Sequence, residues 1–157
     1  MWFRMEPVAL DYTSRFSFDN EVTIDAPASR VFPFLVGERF TEWLPDLVSW
    51  EWTSPAPHGV GSTRVVRLKT LAVKERILAY DEGRRFSFTM EAISVPLVRR
   101  MIEDMVLEPL GDARCRFRYH VYYEPRTVMR LVHPIARAMF TKTFREATRN
   151  VARLATG

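Results

Sequence analysis

The sequence predicts an α+β domain in which one antiparallel sheet of seven strands packs against a long C-terminal helix. Three observations support this prediction. Apolar and polar residues alternate with a period of two in seven segments, turn residues separate these segments, and residues 127–155 follow a helical period. The 157 residues are enough for one hydrophobic core. We therefore expect a single domain over residues 1–157, with its core at about residues 16–155.

The first strand and two short helices are predicted before residue 45. Over Phe16–Ile24, apolar residues alternate with polar ones, which is the period of a strand with one buried face. Pro27 follows this strand, and helical spacing favours short helices over residues 29–36 and 39–44. Pro33 lies inside the first helix, so we expect a kink or a break there.

Six more strands are predicted in the middle of the chain. Their ranges are residues 48–53, 62–69, 71–81, 84–92, 101–110 and 113–124. Gly83 and Gly111 lie in tight turns between alternating segments, which favours antiparallel hairpins. In the last strand Phe117, Tyr119 and Tyr123 fall on the same face as other apolar residues, so we expect that face to point inward.

The C-terminal segment, residues 127–155, predicts an amphipathic helix. A projection at 100° per residue gathers mostly apolar residues on one face: Met129, Val132, Ala136, Met139, Phe140, Thr143, Ala147, Val151 and Leu154. The basic residues, Arg137 among them, fall largely on the opposite face. Pro134 either kinks the helix or marks the start of its regular part. We expect the apolar face to pack on the sheet.

Composition argues against several classes of protein. The net charge is only +4 and no run of five like charges occurs, which weakens nucleic acid as a partner. Cys115 is the only cysteine, so an intrachain disulfide and a CxxC site are excluded. No stretch of about 18 apolar residues predicts a membrane span. The first 16 residues lack the apolar core of a signal peptide, so we expect a cytoplasmic protein.

Neither a metal nor a cofactor is predicted. His58, His120 and His133 do not have the spacing of a metal-binding motif. No GxSxG motif predicts a serine hydrolase, and the glycines at 59 and 61 lack the lysine and the following helix of a phosphate-binding loop.

Charged residues within the alternating strands predict polar groups inside the core. Glu75 shares the face of Val73 and Ile77, and Arg64 on the neighbouring strand also faces inward. A buried carboxylate needs a partner, so we expect Arg64 and Glu75 to pair. Glu103 is predicted to point inward by the same alternation. These residues can form structural ion pairs, or Glu75 and Glu103 can act as acid or base on a bound molecule.

Five short segments occur in a characteristic order: VTIDAPASRVF at residues 22–32, WLP at 43–45, GVGSTR at 59–64, KERI at 74–77 and DEGRRF at 81–86. Together they resemble the SRPBCC superfamily of START-like, helix-grip proteins, most closely its polyketide cyclase/dehydrase and lipid transport branch. The likeness extends over about residues 16–154. It implies a helix-grip fold, in which a strongly curved sheet wraps around the C-terminal helix and encloses a hydrophobic cavity.

The resemblance implies a protein that binds a small hydrophobic molecule, such as a lipid, an isoprenoid or a polyketide-like compound, as carrier or sensor. The residues expected to meet this ligand are Arg64, Glu75, Phe88, Met90, Glu103, Met105, Phe117, Tyr119, Tyr123 and Met139. One alternative is a polyketide cyclase/aromatase or dehydratase that uses the interior Glu, Arg and Tyr side chains. Another alternative is a ligand-free interaction module with a filled interior.

Contact with a membrane surface is a further hypothesis, and no protein partner is predicted. Arg99, Arg100 and the arginines at 114, 116 and 118 can form a basic surface together with the helix. Acidic residues such as Asp104 and Glu108 lie on neighbouring strands, however, and favour cross-strand ion pairs instead.

Overall fold

The computed structural model describes residues 1–157 and contains eight strands, three α-helices and one 3-10 helix. In chain order the elements are β1 (Phe3–Arg4), β2 (Phe16–Ile24), α1 (Ala28–Leu35), α2 (Phe40–Trp43), β3 (Leu47–Trp52), β4 (Thr63–Leu68), β5 (Ala72–Asp81), β6 (Arg85–Ile93), β7 (Val98–Pro109), β8 (Cys115–Pro125), the 3-10 helix (Thr127–Leu131) and α3 (His133–Thr156). The predicted α+β class and the order of its elements are confirmed.

All strands pair in one antiparallel sheet with the order β2-β8-β7-β6-β5-β4-β3. The pairing of β2 with β8 brings the first long strand beside the last one. The ladder shifts register within β5, at Lys74/Glu75 and Ile77/Ala79, and within β7, at Val98/Arg100. Such bulges bend a strand and increase its twist, so the sheet curves around α3 as the helix-grip fold requires.

An additional strand, β1, joins the seven that the alternation predicts. Phe3 and Arg4 pair with Ile93 and Ala92 at the end of β6. On this side of β6, β7 pairs with residues Arg85–Thr89 only. The strand β1 pairs with the remaining end of β6 on the same side. A strand of two residues carries no periodicity, and the sequence therefore gives no signal for it.

The helices α1 and α2 close one end of the curved sheet. The helix α1 continues through Pro33, where we predicted a kink or a break. Gly37 follows it with a φ of 119°, and a Cβ at this position would lie 2.9 Å from the Trp50 ring, so glycine is required here. The indole nitrogen of Trp43 in α2 donates a hydrogen bond to the Phe34 carbonyl at 2.7 Å. Asn150 of α3 donates one to the Trp43 carbonyl at 3.0 Å.

The C-terminal segment is two helices rather than one. The α-helix begins at His133, after the 3-10 helix, and Pro134 lies in its first turn, which is one of the two roles predicted for it. The buried face of α3 consists of Ala136, Phe144, Ala147, Thr148, Val151 and Ala155. Met139 was expected on this face, but its position is about 140° from Phe144 around the helix. Met139 is 49% exposed, and its predicted inward orientation is wrong.

The arginines on the outer face of β8 are neutralised by ion pairs. Arg116 lies 2.8 Å from carboxylate oxygens of both Glu21 and Glu108. Arg114 pairs with Asp25 and Arg118 with Asp19, and Asp104 pairs with Arg85 on β6. Glu108 thus pairs with an arginine of β8, as predicted, whereas Asp104 pairs with Arg85 instead. These ion pairs leave little free positive charge on this face. No helix in the structure has both the length and the hydrophobicity to cross a membrane.

Candidate functional site

A cavity of about 80 Å³ lies between the sheet and α3. Of the 21 residues that line it, 17 are hydrophobic. The lining comprises Phe18, Phe40, Leu44, Val66, Leu68, Leu71, Val73, Glu75, Phe88, Met90, Ile93, Val98, Met101, Glu103, Tyr119, Tyr123, Met129, Arg137, Phe140, Thr143 and Phe144. The interior is thus an apolar chamber that contains two carboxyl groups and two phenols.

The partly exposed lining residues locate the opening of the cavity. Arg137, Phe140 and Thr143 lie in the N-terminal half of α3 and are half-buried. Leu44 after α2 and Leu68 at the end of β4 are also half-buried. The opening therefore lies between the first turns of α3 and the ends of α2 and β4.

Most of the residues predicted to meet a ligand line this cavity: Glu75, Phe88, Met90, Glu103, Tyr119 and Tyr123. Met105 and Phe117 are fully buried, but they belong to the packed core and do not line the cavity. Met139 lies outside the cavity on the exposed face of α3. Arg64 is buried but does not line the cavity either, although the Phe40 and Phe88 rings, which do line it, pack against its guanidinium.

Arg64 and Glu75 form a buried ion pair, as the strand alternation predicts. The two residues are direct cross-strand partners on β4 and β5, and their side chains are 1% and 3% exposed. Nε of Arg64 donates a hydrogen bond to Oε2 of Glu75 at 2.6 Å. Glu75 in turn lines the cavity. Arg64 therefore positions Glu75 and balances its charge from behind the wall.

The remaining guanidinium nitrogens of Arg64 lie among aromatic rings. Neither Nη1 nor Nη2 has a hydrogen-bond partner. The guanidinium carbon lies 4.8 Å from the Phe88 ring centre and 4.9 Å from that of Phe40. The rings of Phe86, Trp52 and Trp50 lie at 5.3, 5.9 and 6.0 Å. The negative faces of aromatic rings attract a cation, and this attraction offsets part of the cost of removing Arg64 from water.

Glu103 and Tyr119 form the second polar pair of the cavity. The Tyr119 hydroxyl donates a hydrogen bond to Oε1 of Glu103. The pKa of Glu103 is raised from 4.5 to about 8; burial is the largest cause and the nearby charge of Glu75 adds to it, against the opposing effects of the Tyr119 hydrogen bond and the Arg64 charge. Burial and the Glu103 charge also place the pKa of Tyr119 well above 10. At neutral pH both side chains therefore hold their protons.

Arg64 is the one cation that forms an ion pair with a carboxyl group of the cavity, because Arg137 at the opening donates to Tyr123 and Ser17 instead. Burial raises the pKa of Glu75 as well, while Arg64 opposes this effect by its charge and its hydrogen bond. A single guanidinium can balance a single carboxylate, and a second ionised carboxylate would be an uncompensated buried charge. The negative charge therefore belongs to Glu75, next to Arg64, and the neutral carboxyl group is that of Glu103.

A third polar group lies where α3 begins. Nη1 of Arg137 donates a hydrogen bond to the Tyr123 hydroxyl oxygen at 2.9 Å, and Nη2 donates to the Ser17 carbonyl at 2.9 Å. The Tyr123 hydroxyl also lies 2.8 Å from Nε2 of His133. The phenolic oxygen can accept from Arg137 and still form a second hydrogen bond with His133, so the three side chains form one connected cluster. This cluster ties the first turns of α3 to β8 and β2 beside the opening.

A family model described as "Polyketide cyclase / dehydrase and lipid transport" matches residues 15–156. The chain belongs to this family. The match covers nearly the whole sequence, and it agrees with the resemblance carried by the five short segments. The family and the fold support a hydrophobic ligand-binding role or a polyketide cyclase type of role.

The chain is similar to known proteins both in sequence and in structure. An uncharacterized protein of Mycobacterium tuberculosis, Rv2574, is 24% identical over 152 residues, which cover 94% of this chain and 90% of that protein. The Zhui aromatase/cyclase from Streptomyces sp. R1128 has a TM-score of 0.70 at 16% identity, over 89% of this chain and 93% of that one. A START superfamily protein from Mycobacterium smegmatis also has a TM-score of 0.70, at 12% identity, over 89% and 99%. At these identities the structures share the fold.

Several cavity residues of this family member were not predicted from the sequence. Phe144 lines the cavity, and its spacing of four from Phe140 is the signal that identifies it. Arg137 was expected to point away from the sheet, but it lines the opening and donates to Tyr123. No sequence pattern indicates this contact, because it depends on the position of β8. His133, for which the sequence indicated no role, is half-buried against the Tyr123 hydroxyl.

The positions of Glu103, Tyr119 and Glu75 determine which chemical groups of a ligand the cavity can bind. Oε1 of Glu103 accepts from Tyr119, so the carboxyl proton on the other oxygen is available to a bound carbonyl or hydroxyl group. The Glu75 carboxylate can accept a hydrogen bond or a proton. No group of three or more His, Cys, Asp or Glu side chains is placed to hold a metal ion.

Proposed function

We propose that the protein binds a small hydrophobic molecule that carries one carbonyl or hydroxyl group, as carrier or sensor. The observation that carries this proposal is the neutral Glu103, hydrogen-bonded to Tyr119, in a cavity with an otherwise mostly apolar wall. Apolar walls with a few placed polar groups are the usual composition of a small-molecule site. The ligand class is an oxygen-bearing lipid, isoprenoid or polyketide-like compound, with Glu75, Phe88, Met90, Glu103, Tyr119 and Tyr123 as contacts.

The size of the cavity limits which ligands can bind without a change in the structure of its wall. A cavity of about 150 Å³ in another protein holds benzene, whereas the cavity here measures about 80 Å³. A ligand larger than one ring therefore has to displace part of the wall. The half-buried residues at the opening, Phe140 and Thr143 on α3 and Leu68 on β4, are less enclosed than the fully buried lining residues, so we expect them to move. We expect ligand binding to move the N-terminal half of α3 away from β4.

The test is native mass spectrometry of the freshly purified protein, followed by solvent extraction and identification of the passenger. We expect a bound apolar compound with at least one oxygen. The matched variants are Val73→Phe, which adds a ring within the cavity wall, and Val48→Phe, which adds the same ring at a position 61% exposed on β3. The first variant should lose the passenger and the second should keep it.

A ligand panel that leaves the unfolding temperature unchanged would contradict the proposal. If no passenger is found, fatty acids, sterols, quinones and aromatic polyketides are added at saturating concentration and thermal unfolding is followed. A ligand that binds only the folded state must raise the unfolding temperature by mass action. A panel without any shift in the wild-type protein would overturn the binding function and favour a ligand-free interaction module.

A second candidate function is a cyclase/aromatase or dehydratase, in which Glu75 removes a proton from carbon and Glu103 protonates or hydrogen-bonds the adjacent oxygen. The geometry favours it: Glu75 and Glu103 both line the same cavity, and the pKa of Glu103 is raised to about 8, close to neutral pH, where an acid transfers its proton most effectively. The test is deuterium exchange in D₂O at the carbon next to a bound ketone. Glu75→Gln should abolish the exchange and retain binding, whereas exchange at the wild-type rate would exclude Glu75 as the base.

A further inference from the structure

Five large apolar side chains are exposed to water within residues 128–139. Leu131 is 90% exposed, Ile135 77%, Val128 64%, Met139 49% and Val132 48%. Only four other large hydrophobic residues of the chain are exposed to a comparable degree: Met1, Trp2, Val48 and Val60. Single exposed apolar residues are common on protein surfaces. A group of five such residues within twelve positions of the chain indicates a surface that binds lipid or another molecule. We call these five residues the apolar stripe.

The helical geometry places the members of the stripe on shared faces. Val128 and Leu131 are three residues apart in the 3-10 helix, which has three residues per turn. Ile135 and Met139 are four residues apart in α3 and therefore lie one turn above the other. On other faces of the same segments, Met129 and Ala136 are buried, and Phe144, opposite Ile135 on α3, is buried as well. The stripe is thus the outer side of two helices whose inner side is already packed.

Along the chain, the charges of the segment that carries the stripe have one sign. Between Glu124 and Glu146 the chain contains no Asp or Glu, but it contains Arg126, Arg130, Arg137, Lys142 and Arg145. Glu124, which lines a surface pocket with Val128 and Arg130, pairs with Arg99 and Arg100. Arg130 and Arg145 take part in no ion pair, and Lys142 lies 3.9 Å from Glu146. The arginines of β8, by contrast, are paired with carboxylates.

We propose that the apolar stripe, together with Arg130 and Lys142, docks onto the surface of a bilayer that contains anionic lipids. Apolar side chains of an amphipathic segment enter the boundary between headgroups and acyl chains, and flanking cations interact with the lipid phosphates. A second copy of this chain is a poorer occupant, because it would bring the same basic residues against this surface. The charge around the stripe therefore selects an anionic lipid surface.

The stripe lies beside the opening of the cavity. Arg137, Phe140 and Thr143 line that opening, and they alternate along the same turns of α3 with Ile135 and Met139. Docking through the stripe places the opening next to the lipid phase. This inference goes beyond the binding function and does not depend on it, because the stripe can dock whether or not the cavity holds a ligand.

The experiment is flotation of the full chain with vesicles of phosphatidylcholine alone and of phosphatidylcholine mixed with phosphatidylglycerol. We expect the partition coefficient to be roughly tenfold higher on the anionic vesicles and to fall with added salt. The double variant Leu131→Ser/Ile135→Ser should reduce it roughly tenfold. The matched control, Val48→Ser/Val60→Ser, removes two exposed apolar residues outside the stripe and should bind as the wild type does.

Three results overturn the proposal. The first is a wild-type protein that does not float with anionic vesicles, and the second is a stripe variant that binds them as well as the wild type does. The third is a wild-type dimer in analytical ultracentrifugation that becomes a monomer in the stripe variant without vesicle binding by either, which would assign the stripe to self-association. All four changed positions are exposed, so an unchanged thermal unfolding midpoint should show that both variants fold.

Discussion

Tyr119 donates its phenolic hydrogen to Oε1 of Glu103 inside a cavity that is otherwise mostly apolar. The two residues lie on the adjacent strands β8 and β7, on the face that packs toward α3. Burial makes the neutral form of Glu103 the stable one at neutral pH. The hydrogen bond fixes one carboxyl oxygen as an acceptor and leaves the other oxygen with the proton. The cavity thus contains a preformed acid.

The first prediction concerns the pH dependence of stability. Glu103 has an ordinary pKa of 4.5 and a folded-state pKa of about 8, so the folded state holds the extra proton between these values. The free energy of unfolding should therefore fall as the pH rises from about 4.5 to about 8. Glu103→Gln replaces the neutral acid with a neutral amide and should make the protein more stable than the wild type above pH 8, by roughly 2 to 4 kcal/mol.

Urea unfolding at a series of pH values measures this effect. Glu108→Gln, on the exposed part of the same strand, is the control and should retain the wild-type pH profile. If the two variants follow the same curve between pH 5 and 9, Glu103 does not hold its proton in the folded state.

The second prediction concerns the buried pair of Arg64 and Glu75. Arg64→Leu leaves the Glu75 carboxylate without a partner, and Glu75→Leu leaves the guanidinium among aromatic rings without a counter-ion. Each single change should destabilise the protein by about 3 to 5 kcal/mol, whereas the double change should cost much less than their sum. A double-mutant cycle from chemical denaturation gives the coupling energy. Additive effects of the two changes would show that the side chains do not interact in solution.

The third prediction concerns the start of α3. Tyr123→Phe removes the hydroxyl that accepts from Arg137 and contacts His133. We expect a loss of about 1 to 2 kcal/mol in stability and faster hydrogen exchange of the backbone amides in the first turns of α3. Tyr122→Phe, on the opposite face of the same strand and without a side-chain hydrogen bond, is the control. Equal exchange in both variants would mean that the hydroxyl does not anchor the helix.

The polar residues of the cavity could be predicted because strands alternate with a strict period of two. In β5, Val73, Glu75 and Ile77 are separated by residues that face solvent, so the orientation of Glu75 follows from its neighbours. Arg64 occupies the equivalent phase in β4, and the observed register makes it the direct partner of Glu75. Glu103 follows the same rule in β7.

The residues of α3 were harder to predict because one helical period was applied to two different helices. The projection from residue 127 ignores the 3-10 helix, which turns 120° per residue instead of 100°. The predicted face therefore included Val132, which the structure leaves 48% exposed. It also included Met139 and omitted Phe144, which lie about 140° apart within α3, although the structure exposes the first and buries the second. Arg137 was assigned to the opposite face, and no local pattern could correct this, since its partners Tyr123 and Ser17 are distant in sequence.

The fourth prediction compares two methionines that the sequence analysis treated alike. Met90 is 5% exposed and lines the cavity, whereas Met139 is 49% exposed on the outer side of α3. Met90→Ala should destabilise the protein by about 2 to 5 kcal/mol, because the removed side chain enlarges a cavity that the surrounding wall fills only in part. Met139→Ala should change stability by less than about 0.5 kcal/mol.

The same pair of variants also tests where an apolar ligand binds. The cavity of about 80 Å³ is small, and Met90→Ala enlarges it from within, so a small aromatic compound such as benzene should raise the unfolding temperature of this variant more than that of the wild type. Met139→Ala leaves the cavity unchanged and should respond as the wild type does. A stronger response of Met139→Ala than of Met90→Ala would place the apolar site on the surface of α3, outside the cavity.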